Sequence, residues 1–264
     1  MPAASRLFSS YVFHGYMPMR SFAHACREAG RRLRVALGLK KPRGASRPPA
    51  SARIPDVKWS AVCRAAGVIL YEPDKADGNV SLAELAVLDA LCRTRGPRAI
   101  FEIGTFDGRT TLNLAANSDA TVSTLDLPAG HATKFAVVGA DNRYVDKPAS
   151  GARFTSEPNC RLPAARRITQ LYGDSASFDF SPWHGKMDLV FVDGAHSYDF
   201  VVNDSRVALK LLRPAGGVIV WHDYGVWPDV AKALEDLLNE QPALPLRHVR
   251  NTSLVVATIG ARIG

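Results

Sequence analysis

Short apolar runs that alternate with helix-length stretches constrain this chain more than any other feature. Arg98–Ile103, Thr121–Leu125, Ile168–Tyr172, Met187–Val192 and Gly216–Trp221 each read as a buried strand. Ser81-Leu82-Ala83-Glu84 is a capping box, and it opens a helix whose Leu82, Leu85, Leu88 and Leu91 recur at about three residues. Gly96-Pro97 ends that helix. Further helices are expected over Arg109–Ala116, about Ser197–Leu212 and about Val230–Glu240. Leu246–Val249 and Ser253–Thr258, joined by Arg-Asn-Thr, suit a closing hairpin. Strands separated by helical crossovers imply an α/β fold: a doubly wound, mostly parallel sheet of seven strands with a C-terminal antiparallel hairpin and helices on both faces. In such a sheet a ligand sits beyond the carboxyl ends of the strands, where the strand order reverses.

Charge divides the chain in two. Residues 1–58 hold 12 Lys and Arg against the two acids Glu28 and Asp56, whereas the rest holds 21 basic and 23 acidic groups. The net charge of +8 is thus a property of an N-terminal arm, and a slightly acidic body argues against nucleic acid as the partner. Ser21 suits a helix cap, with Phe22, Cys26, Ala29, Leu33 and Leu37 on one face. A solvated basic extension, a helix that binds anionic lipid or a partner, and a targeting peptide all stay open for it. The Pro-rich stretch 41–49 reads as a linker, which divides the chain into an arm over 1–55 and a domain over 56–264. No apolar run approaches the ~18 residues of a membrane span. Cys26, Cys63, Cys92 and Cys160 form no CxxC pair and read as reduced thiols, which fits a cytoplasmic protein.

Each of the first five strands finishes in an acid or an acid-bearing turn. The first leads into Glu102-Ile103-Gly104-Thr105-Phe106-Asp107-Gly108, where Gly104 permits a sharp turn and Gly108 permits close approach of a ligand to the next helix. The three-glycine dinucleotide fingerprint is absent, and the carboxylate before the turn suits a cationic or amine-bearing ligand. The second strand ends at Asp126, a place where an acid commonly takes ribose hydroxyls. The others end in Gly173-Asp174-Ser175, Asp193-Gly194-Ala195-His196 and Trp221-His222-Asp223-Tyr224.

This order of motifs, with Asp-Gly-Ala-His-Ser-Tyr after the fourth strand and Arg213-Pro214-Ala215-Gly216-Gly217 before the fifth, resembles class I S-adenosylmethionine-dependent methyltransferases over about residues 65–260. It is most similar to their small O-methyltransferase branch, related to the catechol and macrolide-sugar enzymes. The resemblance implies methyl transfer from S-adenosylmethionine to a hydroxyl of a small-molecule acceptor. It places Glu102, Gly104, Thr105 and Gly108 along the methionine part of the cofactor, with Asp193 nearby, Asp126 on the ribose, and Asp174 and Ser175 against the adenine. It also implies a divalent cation, Mg or Mn, on Asp193, His222 and Asp223. His222 departs from the acid more usual there, and an imidazole favours manganese or iron over magnesium. His196 takes the place of a general base, with an ordinary pKa near ~6.5, and His222 competes for the role. Leu127–Arg167 is longer than a plain crossover, so it is expected to cover the acceptor, with Arg143, Lys147 and Arg153 available to an anionic one. The rival reading is a catalytically silent cofactor-binding or scaffolding protein. Peripheral membrane contact through the arm and homo-oligomerisation stay open.

Overall fold

The computed structural model describes residues 54–64, 67–74, 77–137, 139, 141, 144 and 150–260. The helix expected from Ser21, the linker, and Arg143 and Lys147 lie outside them. Eight strands form one sheet: β1 (Asp56–Val57), β2 (Ala99–Ile103), β3 (Thr121–Asp126), β4 (Ile168–Tyr172), β5 (Leu189–Val192), β6 (Gly216–Trp221), β7 (Leu246–Val249) and β8 (Val255–Gly260). Their order across the sheet is β1-β7-β8-β6-β5-β2-β3-β4. Only β8 runs antiparallel to its neighbours β6 and β7, as the closing hairpin predicted. The seven expected strands gain an eighth, because β1 pairs in parallel with β7 at the sheet edge. Two residues carry no periodicity for a sequence reading to find. Backbone bonds from His248 N–H to Pro55 O (3.0 Å) and from Arg250 N–H to Val57 O (2.9 Å) hold this strand in place.

Among the described residues, five α-helices flank the sheet: α1 (Leu82–Arg95), α2 (Arg109–Ala116), α3 (Ala152–Thr155), α4 (Tyr198–Leu211) and α5 (Pro228–Glu240). Ser81 and Glu84 form the expected capping box, and Gly96 closes α1 in the left-handed region that glycine adopts at least cost. Strand alternation feeds two cores. Ile100, Leu189, Phe191, Val218 and Val220 pack with the leucines of α1 and α2 on one face. Phe101, Ile103, Val190, Ile219 and Trp221 pack with α4 and α5 on the other. Burying each such side chain contributes about 1.5–3 kcal/mol, so both faces of the central strands are committed. Among the described residues no helix is long and apolar enough to cross a membrane.

One face of α2 is polar and still buried. Asn113 accepts from the Tyr71 N–H (2.8 Å) and donates to the Tyr71 carbonyl (3.0 Å), and Asn117 does the same to Ile69 at 2.8 and 2.7 Å. Arg109, one turn earlier, donates to the carbonyls of Glu72, Val80 and Pro73 at 2.6, 3.0 and 3.2 Å. Residues spaced by four share a helix face, so these amides act towards the incoming segment as a neighbouring strand would. Val68, Leu70 and Tyr71 of this segment also pack against the core beside α1 and α2, so both hydrogen bonds and apolar contact place it. Replacing Asn117 by Ala leaves the Ile69 amide without these bonds and should cost about 1–3 kcal/mol. Denaturant unfolding should show a lower midpoint at unchanged slope; an unmoved midpoint would refute the role.

Candidate active site

The chain winds from β2 through β3 to β4, then crosses back to β5 and β6, so the strand order reverses between β2 and β5. A cleft of about 610 Å³ opens there, at the carboxyl ends of the strands. Its size falls in the range of small-molecule sites. At Gly104 a Cβ would lie 2.1 Å from the Asp193 carbonyl oxygen, so the ends of β2 and β5 meet this closely only because residue 104 is glycine. Its φ of 97° is also one that other residues resist.

Of the residues expected at the site, Gly104, Asp126, Asp174, Ser175, Asp193, His196, His222 and Asp223 line the cleft. Asp126 accepts a short hydrogen bond from Ser150 Oγ. Burial raises its pKa against that bond and those from backbone amides. Asp174 is held by the N–H groups of Lys134 (2.7 Å) and Ala176 (2.9 Å). Glu102, Thr105 and Gly108 lie behind the wall. Glu102 is fully buried and accepts from the hydroxyls of Thr111 and Thr124. Thr105 shares a 2.7 Å bond with Thr124 and accepts from Gln170. A Cβ at Gly108 would lie 2.6 Å from Phe154, so the glycine also lets α3 pack closely against the start of α2. Arg153, considered for an anionic acceptor, is engaged by Glu72 (2.6 Å) and Asp107 (3.0 Å).

At the end of the cleft beside β5 and β6, two imidazoles stand among four carboxylates. His222 Nδ1 lies 2.8 Å from Asp193 and 3.3 Å from Asp223, and its Nε2 is 3.4 Å from Glu84. His196 Nδ1 lies 2.7 Å from Asp141 and its Nε2 2.7 Å from Asp223, while its ring stacks on Trp227 at 4.7 Å and 7°. Asp223 reaches between the two rings from a left-handed backbone position with φ of 61°. Such a conformation costs on the order of 1–3 kcal/mol and needs its neighbours to impose it. Here the Asp223 N–H donates to Ser253 Oγ (3.1 Å) and the next N–H to the Ser253 carbonyl (3.0 Å).

These contacts set the charges. Burial pulls the His196 ring towards neutrality, but Asp141 and Asp223 outweigh it and push its pKa up to about 10. The near-neutral titration expected of this ring therefore gives way to an imidazolium. His222 is likewise raised, burial being overcome by Asp193, Asp223 and Glu84. Asp223 is lowered, because the two rings outweigh its burial. Asp193 is raised, burial dominating over His222.

Asp141, Glu84 and Trp227 escaped the sequence reading. Glu84 is both the capping-box residue and a cleft residue, where it accepts from Ser253 N–H at 2.7 Å. Nothing in its motif announces the second role.

The family described as "Methyltransferase domain" matches residues 101–224, from β2 to the turn after β6. Over that stretch, just under half of its length, the chain is similar to methyltransferase domains. Its fold is similar to that of the S-adenosylhomocysteine-bound methyltransferase PaMTH1 of Podospora anserina. That likeness has 17% identity and a TM-score of 0.51, over 70% of this chain and 81% of the other. The O-methyltransferase TomG of Streptomyces achromogenes, solved with S-adenosylmethionine and involved in tomaymycin synthesis, gives 22% identity and a TM-score of 0.49 over 70% and 83%. No curated protein matches the chain.

The cleft also bears on the metal expected here. Asp193, His196 and Asp223 each place one ligand atom within 4.8 Å of the others. Two carboxylates and an imidazole fit a divalent cation, manganese better than magnesium. The ring in that set is His196, whereas the sequence pointed to His222.

Glu102 gives the domain a pH signature. Burial drives its carboxyl from 4.5 to about 8 against the Thr111 and Thr124 bonds, and the charges of Asp193 and Asp126 add to the rise. The folded state therefore binds this proton more tightly than the unfolded chain. The associated stability is full below pH 4.5 and is lost as pH rises to about 8. Glu102→Gln, which cannot ionise, should flatten the decline of melting temperature over that window. Parallel wild-type and variant profiles would show that Glu102 does not carry it.

Proposed function

We propose that this chain transfers a methyl group from S-adenosylmethionine to a hydroxyl of a small-molecule acceptor. One observation supports this above the rest: the two-histidine, four-carboxylate cluster stands at one end of a cleft whose other walls carry Asp126, Asp174 and Ser175. In this reading Asp126 takes the ribose, Asp174 and Ser175 face the adenine, and Gly104 and Asp193 border the methionine end. Residues 56–264 form the methyltransferase domain and 1–55 the basic arm.

Methyl transfer from a sulfonium needs the nucleophile aligned and kept dry more than it needs covalent help. Well-oriented pairs reach effective molarities of ~10⁵ M or more. His196 is the group we assign to the acceptor's hydroxyl. Its positive charge favours the ionised oxygen, and Asp193, whose proton affinity burial raises, is the destination for the proton. His222 supports this by pairing with Asp193 at 2.8 Å. A divalent cation on Asp193, His196 and Asp223 would supply Lewis acidity at the same place. His196 has to lose its proton to bind one, so ion and imidazolium are alternative occupants.

Calorimetric titration should show S-adenosylmethionine binding in EDTA. Added manganese should give a further signal that Asp193→Ala abolishes. His196→Ala should bind the cofactor with near wild-type affinity and lose about 10²-fold or more in turnover. Absence of cofactor binding under either condition would remove the methyltransferase reading. Binding without turnover on any hydroxyl acceptor would favour a silent binding protein.

A further inference from the structure

Asp141 is 3% exposed and belongs to the long connection between β3 and β4, 55 residues away in sequence from the histidine it meets. Its two carboxylate oxygens divide their work on a single residue. Oδ1 lies 2.7 Å from His196 Nδ1, and Oδ2 accepts the His196 backbone N–H at 3.0 Å. A carboxylate that only capped the start of α4 would need the second bond alone. A carboxylate that only neutralised a charge would need neither bond to be directional. Two bonds to ring and backbone fix the rotation of the imidazole about its Cβ–Cγ bond, and they place a proton on Nδ1. Trp227 then stops the ring from tilting, stacked within 7° of parallel. What remains is Nε2, which lies 2.7 Å from an Asp223 oxygen on the cleft wall.

We propose that Asp141 is the positioning residue for His196, setting the orientation of the ring and holding the proton on its Nδ1 from the β3–β4 connection. The inference rests on His196 serving the acceptor hydroxyl. Asp141 itself acts through the ring, which stands between it and Asp223. The connection that borders the cleft with Thr133, Val137 and Tyr144 thus also holds the histidine. Correct placement of this connection and correct orientation of the ring become one event. A functional histidine usually has its second nitrogen directed in this way, and the directing partner matters to activity without touching substrate.

Asp141→Asn keeps an oxygen for the His196 backbone N–H and presents an amide to Nδ1. Cofactor affinity by calorimetry and melting temperature should stay near wild type, while kcat falls about 10- to 100-fold at little-changed KM. Nitrogen-15 spectra of the histidine rings should show the His196 nitrogens changing their protonation pattern, and Asp141→Glu should restore part of both signals. Unchanged ring signals and unchanged kcat would overturn the assignment. So would a loss of activity that follows cofactor affinity or melting temperature alone, because that marks a structural cap. Should Asp141→Ala fail to fold, the Asn and Glu variants still decide the matter. The ring spectra need no acceptor, so they test Asp141 even if the methyltransferase reading fails, and cofactor calorimetry tests that reading separately.

Discussion

Where the sheet reverses its winding, the backbone of Gly104 passes against the carbonyl of Asp193 with no room for a side chain. The Gly104 N–H bonds Leu125 O at 2.8 Å and the Asp193 N–H bonds Ile103 O at 2.8 Å, so three strand ends are fastened at one place. The cleft begins at this junction. Asp193 takes its direction from it, His222 takes its partner from Asp193, and Asp223 completes the cluster from the strained turn that follows β6. A side chain at residue 104 would separate β2 from β5 and disperse the functional groups while leaving both cores largely built.

Polar groups placed inside the protein hold the site from behind. The asparagines of α2 fasten the backbone of Ile69 and Tyr71, and Arg109 gathers the carbonyls of Glu72, Pro73 and Val80. That segment leads to Asp77, Gly78 and Asn79 at the cleft margin. Buried polar groups specify geometry strongly when every bond is made and penalise its loss, and here they are spent on positioning backbone next to a ligand site. Glu102, Thr105, Thr111 and Thr124 form a second such set beneath the cleft floor.

The alternation of strands and helices was legible because both periods are strong and repeated, and the bounds of α2, β4 and β6 agree with it. The positions of Asp126, Asp174, Asp193, His196, His222 and Asp223 followed from one topological rule about strand ends. Two kinds of information were not legible. Glycine freedom shows in a sequence, but not every group it makes room for: Gly108 also clears space for Phe154. Partners brought from far along the chain are equally silent. Asp141 sits in a loop without periodicity, Glu84 already had a complete local explanation as a cap, and Trp227 became a stacking surface only through folding. The raised pKa of His196 depends on just such a remote partner, which is why an ordinary imidazole was expected.

The two-residue strand β1 carries a consequence for how the domain faces its surroundings. It runs parallel to β7, which is antiparallel to β8, which in turn is antiparallel to β6. Its register sets Asp56 level with His248, Val255 and Trp221, so the main chain enters the domain beside the carboxyl ends of the parallel strands, the same end of the sheet at which the cleft opens.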